Sequence, residues 1–196
     1  MKVIMATNNA DKVREIREIL NDPEIQIVSL KDAGIEINVE ETGTTFEENA
    51  LLKARAVRDL TGCVTAADDS GLEIDYFDKA PGIYSSRFMG EDTPYEEKNT
   101  AILERMKDVP DEKRSARFIC AVAVCRPDGI EKTFRGVMEG RIARQIAGEG
   151  GFGYDPIFFL PDRGCTSAQL TENEKNAISH RGKAFRQAAQ ELKAQT

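Results

Sequence analysis

The feature that most constrains the fold is a short apolar run that ends at two adjacent carboxylates. Residues 64–67 read Val-Thr-Ala-Ala, which predicts a buried strand, and Asp68 and Asp69 follow directly. Ser70 and Gly71 come next and favour a sharp turn. In parallel α/β sheets the functional cleft lies beyond the carboxyl ends of the strands, so Asp-Asp-Ser at such an end predicts a site for a hard cation and an activated water. A turn without any function is the structural alternative.

Composition narrows the classes of protein that the chain can represent. Its 196 residues, 40% hydrophobic and 31% charged, suit a single domain over residues 1–196. The 34 acidic and 27 basic residues give a formal charge of -7, which disfavours nucleic acid as a partner. The four cysteines lack metal-ligand spacing, and no signal or membrane-spanning segment is predicted. We therefore expect a soluble, cytoplasmic protein without a membrane partner.

The single histidine, His180, restricts the chemistry further. A His-rich zinc centre is excluded, and a serine or cysteine triad would have to be built around this one residue. Catalysis must otherwise rely on carboxylates, lysines and a hard metal. A satisfied structural histidine is the simpler interpretation of His180 by itself.

A second candidate site lies between the first predicted strand, residues 2–6, and the first predicted helix, residues 11–20. A polar turn there offers free backbone amides and the positive end of the helix dipole, which together favour a phosphate group. An ordinary helix N-cap by Asn9, with Lys12 in solvent, is the alternative. The residues of this turn are Thr7, Asn8, Asn9, Ala10, Asp11 and Lys12.

A hairpin is predicted upstream of a long helix. Residues 25–28 and 35–39 read as two short strands joined at Ala33-Gly34, and the second strand ends at Glu40. The helix that follows runs to Leu60 and carries Lys53 beside its apolar stripe. Lys53 either extends its charged end to the surface or reaches into a cleft. Glu40 is an ordinary exposed acid unless its strand end lies beside Asp69.

A glycine-rich stretch in the C-terminal part of the chain is the third candidate. Residues 148–156 surround Phe152 with glycines, which predicts a backbone that approaches a ligand closely and an aromatic face available for stacking. A mobile loop in which Phe152 and Tyr154 pack as hydrophobic anchors is the alternative. Upstream of this loop, the apolar run at 118–125 predicts a central strand, and residues 132–142 are expected to pair with it.

Six motifs occur in one order along the chain, from residue 2 to the C-terminal helix. They are Thr-Asn-Asn-x-x-Lys (7–12), Glu-Thr-Gly-x-Thr-Phe-x-Glu-Asn-Ala-x-x-Lys-Ala (41–54), Ala-Asp-Asp-Ser-Gly-Leu (67–72), Pro-Gly-Ile-Tyr-Ser-Ser-Arg (81–87), Gly-Gly-Phe-Gly-Tyr-Asp-Pro-Ile-Phe (150–158) and Ser-His-Arg-Gly-Lys-Ala-Phe (179–185). The chain closely resembles the inosine/xanthosine triphosphate pyrophosphatase family, also called the Ham1-like or RdgB-like group.

The resemblance implies an α/β fold with an elongated mixed β-sheet, flanking helices and two lobes around a central substrate cleft, in a protein that forms a homodimer. It also implies Mg²⁺-dependent hydrolysis of non-standard purine nucleoside triphosphates (ITP, dITP and XTP) to the monophosphate and pyrophosphate.

The resemblance further implies a role for each matching residue. Asp69 is implied as the catalytic base, and Glu40 and Asp69 as the acids associated with the metal. Ser70 matches a substrate contact. The phosphate-binding group is implied to comprise the turn at 7–12 and Lys53. The nucleoside end is implied to comprise Phe152, Gly153, Tyr154, Asp155, Lys175, His180 and Arg181.

Selectivity for the base leads to a hypothesis about Arg181. Hypoxanthine and xanthine present a 6-oxo acceptor where adenine presents a donor, so Arg181 or a backbone amide aimed at O6 would disfavour ATP by roughly 10⁴. We hypothesise that Arg181 reads O6.

Two rival functions remain open. One is a Maf-like pyrophosphatase of pyrimidine or modified nucleotides, and the other is a nucleotide-binding module that does not hydrolyse its ligand.

Overall fold

The computed structural model describes residues 1–194. Over this range the fold is mixed α/β, with one seven-stranded sheet in the order β2-β1-β3-β4-β5-β6-β7. The strands are β1 (Lys2–Met5), β2 (Gln26–Ser29), β3 (Thr65–Ile74), β4 (Ser115–Cys125), β5 (Glu131–Ile142), β6 (Phe158–Leu160) and β7 (Cys165–Thr166). The α-helices are α1 (Ala10–Leu20), α2 (Phe46–Thr61), α3 (Tyr95–Arg105), α4 (Glu172–Ile178) and α5 (His180–Ala194).

Strand β3 corrects the first expectation from the sequence. Asp68 and Asp69 do not end a strand, because β3 continues through them and through Gly71 to Ile74. The preference of Asp, Ser and Gly for a turn is local, and pairing within the sheet overrides it here. The two carboxylates therefore lie in the middle of a ten-residue strand.

The predicted hairpin at residues 25–39 is also wrong. Strand β2 forms as expected, but it pairs in parallel with β1, from Lys2 opposite Gln26 to Met5 opposite Ser29. Residues 35–39 are not a strand. The backbone amide of Ile35 instead donates to the carbonyl of Leu30 at 2.9 Å, which closes a local turn.

The central strand and the long helices agree with the hydrophobic pattern. Strand β4 is fourth of the seven strands, and β5 is its neighbour after a turn in which Gly129 has a φ of 89°. Helix α2 begins after its N-cap Thr45, whose side chain accepts from the amide of Glu48. It ends at Gly62, where a φ of 63° allows a left-handed cap. Periodicity and end signals were thus sufficient to predict these elements.

The described chain divides into two compact units. The first comprises residues 1–70, 120–136 and 180 onward, and the second comprises 71–119 and 137–179. The first unit has two apolar clusters, one around Phe185 and Ile16 and the other around Ala50 and Val57. The second unit packs around Phe158. Within residues 1–194, no helix is both long enough and apolar enough to cross a membrane.

Candidate functional site

The candidate site in the first unit lies where β1 ends. Strand β1 pairs in parallel with β3 at Met5 and Ala66, and this is the last paired position. Strand β3 continues beyond this point and places Asp68 and Asp69 two and three residues further along. The polar turn at 7–12 follows β1 directly. The carboxylates and the turn are thus brought together at the carboxyl end of a parallel strand, which is where α/β sheets place their ligands.

Asp68 is fully buried and surrounded by cations. Its Oδ2 lies 3.1 Å from the Lys12 Nζ and 3.4 Å from the Arg181 Nη2, and it accepts the Ser70 hydroxyl at 2.8 Å. Burial by itself disfavours the charged carboxylate, but the charges of Lys12 and Arg181 outweigh it and hold the pKa of Asp68 below its ordinary value. Asp68 is therefore ionised at neutral pH.

Asp69 is buried in a different environment. Its Oδ2 accepts from the Asn49 Nδ2 at 3.1 Å, and its Oδ1 lies 3.9 Å from the Lys53 Nζ. Burial raises the pKa of Asp69, and the charges of Lys53 and Lys12 only partly oppose this effect. Adjacent carboxylates with opposite pKa shifts are suited to different roles.

For the turn at 7–12, the structure confirms the N-cap of the simpler interpretation but not the exposed lysine. Asn9 is indeed the N-cap of α1, and its Oδ1 accepts from the backbone amide of Lys12 at 3.1 Å. The Lys12 side chain, however, is not in solvent, because it is only 16% exposed and pairs with Asp68. Asn8 donates to the carbonyl of Ile37 at 3.3 Å. Thr7, Ala10 and Asp11 complete the turn.

The Lys53 side chain extends inward rather than to the surface, and it is only 14% exposed. Its Nζ lies 2.5 Å from the Glu41 Oε1. Burial by itself lowers the pKa of Lys53, but the charges of Asp69 and Glu41 outweigh it, so the pKa is raised. Lys53 is therefore a permanent cation at this site.

Glu41, and not the predicted Glu40, lies beside Lys53 at this site. Glu40 is exposed and makes no hydrogen bond or ion pair with any residue in 1–194, whereas Glu41 contacts Lys53. The role of Glu40 at a metal stays a prediction. Within the same range, no group of three or more His, Cys, Asp or Glu side chains is arranged to hold a metal ion. One feature does suit a cation: the buried Asp68 Oδ1 has no hydrogen-bond partner in the described chain.

Arg181 is a buried member of the same cluster, at the start of α5. Its Nη1 lies 2.5 Å from the Glu15 Oε2, and its Nη2 lies 3.2 Å from the Ser70 Oγ in addition to the contact with Asp68. The guanidinium is thus directed at carboxylates of the first unit, and the hypothesis that it reads O6 of a base stays a prediction. His180, next to it, is 5% exposed.

Three of the residues implied for the nucleoside end, Phe152, Asp155 and Lys175, form a separate network in the second unit. The buried Asp155 accepts from the Phe152 amide at 2.9 Å, from the Lys175 Nζ at 2.6 Å and from the Ser167 hydroxyl at 2.7 Å. The Lys175 Nζ lies 5.2 Å from the centre of the Phe152 ring. Gly151 permits this arrangement, since a Cβ there would lie 2.2 Å from the Asp155 Oδ2.

Tyr154 and Gly153 occupy the same loop with different surroundings. Tyr154 is 3% exposed, and its hydroxyl donates to the Ser85 carbonyl at 2.6 Å. The Gly153 carbonyl accepts from the Asn99 Nδ2 at 3.1 Å. Burial favours the interpretation of Tyr154 as a hydrophobic anchor, while Phe152 is only half-buried.

Three residues of the cluster in the first unit were absent from the predicted site. They are Glu15, Glu41 and Asn49. Helical spacing offered a signal for two of them, because Glu15 lies three residues after Lys12 on α1 and Asn49 lies four residues before Lys53 on α2. Nothing in the local sequence distinguishes Glu41 from Glu40.

The fold and the site define a class of protein: an α/β protein with adjacent buried carboxylates and two lysines beyond the carboxyl end of a parallel strand. The chain belongs to the Ham1 family, whose sequence profile matches residues 3–191. The resemblance recognised in the sequence is thereby confirmed.

Individual relatives are similar over nearly their whole length. A protein of Clostridium perfringens named dITP/XTP pyrophosphatase is 46% identical, over 98% of this chain and 97% of its own. A protein of the same name from Shigella flexneri is 50% identical over 94% of each chain. The solved structure of the Staphylococcus aureus Ham1 protein covers 100% of both chains, with a TM-score of 0.89 and 36% identity. The predicted α/β fold is confirmed by this match.

Proposed function

We propose that the protein hydrolyses the non-standard purine nucleoside triphosphates dITP, XTP and ITP to the monophosphate and pyrophosphate, and so removes them from the nucleotide pool. The reaction class follows from membership of the Ham1 family and from relatives named dITP/XTP pyrophosphatase. The observation that carries it to this chain is the pair of adjacent buried carboxylates, Asp68 and Asp69, with Lys12 and Lys53 beside them.

Cleavage next to the α-phosphorus requires cations on the departing pyrophosphate and an acceptor for the proton of the attacking water. Lys12, Lys53 and the N-terminal end of α1 supply positive charge for the phosphates. Asp69 accepts the proton, because burial makes it the more basic of the two carboxylates. Asp68 stays ionised and holds Lys12 and the Ser70 hydroxyl in place.

We include Mg²⁺ in the proposal, because membership of this pyrophosphatase family suggests that the reaction requires a divalent metal ion. Asp69 and Glu40 would hold it, and the Asp68 Oδ1 offers a further hard oxygen. A bound Mg²⁺ would lower the pKa of a water molecule and neutralise phosphate charge. Few protein carboxylates suffice, because Mg²⁺ usually binds through one or two of them together with substrate phosphates.

The base end of the substrate is assigned to the residues that the resemblance implied for it. Phe152 offers a half-buried ring, and stacking on such a ring contributes about 1 to 3 kcal/mol for any base. Lys175, His180 and Arg181 are the polar candidates for selecting the base, together with Gly153, Tyr154 and Asp155 in the loop. We also propose that the enzyme forms a homodimer, which the resemblance implied, and that it acts in the cytoplasm, which the composition of the chain suggested.

The test is an assay of pyrophosphate release with Mg²⁺ and a panel of ITP, dITP, XTP, ATP, GTP, dTTP and UTP. Pyrophosphate from the first three alone is the expected result. Orthophosphate, activity confined to pyrimidines, or binding without any product would each refute the proposal.

Asp69→Asn tests the assignment of the base. Turnover is expected to fall by about 10² to 10⁴, which is the usual contribution of a positioned base, with little change in substrate binding. Asp32→Asn is the matched control, because it makes the same chemical change at an exposed ion pair with Arg17. Near-normal turnover of Asp69→Asn would refute the assignment.

A further inference from the structure

Asn49 is a fully buried polar residue on α2 that the proposed reaction does not use directly. Its side chain connects two parts of the candidate site. The Oδ1 accepts from the Gly43 amide at 2.8 Å, and the Nδ2 donates to the Asp69 Oδ2 at 3.1 Å. No other side chain of the described residues donates a hydrogen bond to this oxygen of Asp69. The amide is therefore more than a satisfied polar group in the core.

The contact with Gly43 determines which way the amide points. An Asn side chain has an acceptor at one end and a donor at the other. Because the acceptor end is occupied by the Gly43 N–H, the NH₂ end must face Asp69, and the reversed orientation would set an oxygen against a carboxylate. The backbone of the loop thus selects the donor that Asp69 receives.

Gly43 itself is adapted to this contact. A Cβ at this position would lie 2.6 Å from the Asn49 Oδ1 and 2.7 Å from the Glu48 Cβ, so only glycine allows the loop to come this close. The same loop carries Glu41, which pairs with Lys53. Asn49 therefore joins the acidic loop and the carboxylate of Asp69 through one side chain.

Helix α2 places two polar side chains beside Asp69, whose Oδ1 also accepts from the backbone amide of Ser70 at 3.0 Å. Asn49 and Lys53 are four residues apart, on one face of the helix. Asn49 donates to Oδ2, while the Lys53 Nζ lies 3.9 Å from Oδ1. Lys53 is long and pairs with Glu41 as well, whereas Asn49 is short, fully buried and hydrogen-bonded at both ends of its amide.

We propose that Asn49 is a positioning residue: it holds the Asp69 carboxylate in its reactive orientation and ties the acidic loop to the same point. This role rests on the proposed function, since it acts through Asp69. Removing a partner that orients a reactive or metal-binding group typically costs 10- to 100-fold in activity or metal affinity. The loss is expected in kcat, because Asn49 contacts Asp69, the proposed catalytic base, and its proposed role involves no contact with the substrate.

Asn49→Asp is the most informative variant. It preserves the size of the side chain and the acceptor for the Gly43 amide, but it replaces the donor to Asp69 with an oxygen. Glu48→Gln is the matched control, since Glu48 ties the same loop through the Thr44 amide and hydroxyl and does not contact Asp69. We expect kcat of Asn49→Asp to fall about 10- to 100-fold with KM within threefold of wild type, and Glu48→Gln to retain kcat.

Unfolding by urea, measured on the same samples, shows whether each variant is folded. If Asn49→Asp does not fold, Gly43→Ala replaces it, because the added methyl group would lie 2.6 Å from the Asn49 Oδ1 and so disrupts the contact between the loop and Asn49 without changing residue 49. A folded variant with unchanged kcat, a rise in KM alone, or an equal loss in Glu48→Gln would overturn the proposal. Wild-type protein is measured in the same assay. If wild-type protein shows no turnover, the proposed pyrophosphatase function is refuted, whereas an active wild type with an equally active Asn49→Asp variant refutes only the role of Asn49.

Discussion

The buried ion cluster around Arg181 yields a quantitative prediction. Glu15 is 6% exposed and Arg181 is 2% exposed, and their side chains are in contact at 2.5 Å. The cluster also contains Asp68 and Lys12, so it has two positive and two negative charges. Glu15→Gln removes one negative charge and leaves a buried surplus of positive charge. Arg181→Met removes one positive charge and leaves the opposite surplus.

Breaking a buried ion pair by removing one partner costs about 3 to 5 kcal/mol, most of which is the desolvation of the partner that remains. We use the lower limit, about 3 kcal/mol, because Arg181 keeps its contact with Asp68. For a chain of this size, 1 kcal/mol corresponds to a change in Tm of about 2 to 4 °C, so each single variant should melt roughly 6 to 12 °C below wild type.

The double variant distinguishes this explanation from a loss of packing. With both Glu15 and Arg181 neutral, Asp68 and Lys12 remain as a balanced pair, so the double variant should lose less stability than the two single variants together. Urea unfolding of the four proteins gives the coupling energy, which should exceed about 1 kcal/mol. The argument would be refuted if each single variant lost less than about 1 kcal/mol in its free energy of unfolding. It would also be refuted if the loss in the double variant equalled the sum of the two single losses within about 0.5 kcal/mol.

Three further predictions follow from other parts of the molecule. Hydrogen bonds from Arg55 and Arg58 hold the pKa of Glu131 at about 2, against an ordinary 4.5. The stability that Glu131 contributes is therefore present above about pH 4.5 and is lost as the pH falls toward 2. Urea unfolding should show that the difference in the free energy of unfolding between wild type and Glu131→Gln decreases from pH 7 to pH 3. A difference that stays constant over this range would contradict the prediction. Tyr154→Phe should lower the free energy of unfolding by about 1 kcal/mol, because the hydroxyl donates a buried hydrogen bond to the Ser85 carbonyl. An unchanged free energy of unfolding would show that this hydrogen bond contributes nothing to stability. Excess EDTA should abolish pyrophosphate release and added Mg²⁺ should restore it, whereas activity that persists in EDTA would exclude the metal.

Much of the secondary structure could be predicted because its signals are local. The apolar stripe of α2, its N-cap at Thr45 and its left-handed cap at Gly62 all lie within the helix or next to it. The apolar run of β4 likewise predicted a central strand without knowledge of its neighbours. Local signals failed where they conflicted with pairing across the sheet, as in β3 and at residues 35–39.

By itself, the sequence determined the family, the order of most helices and strands, and the group of carboxylates and lysines from which a site could be built. Only the tertiary structure decided which of these side chains meet. Arg181 and Glu15 are in contact although they are 166 residues apart, and Glu41 rather than its neighbour Glu40 lies against Lys53. Such contacts depend on the path of the whole chain, because a buried charge must be paired and its partner can come from any element that the sheet brings near.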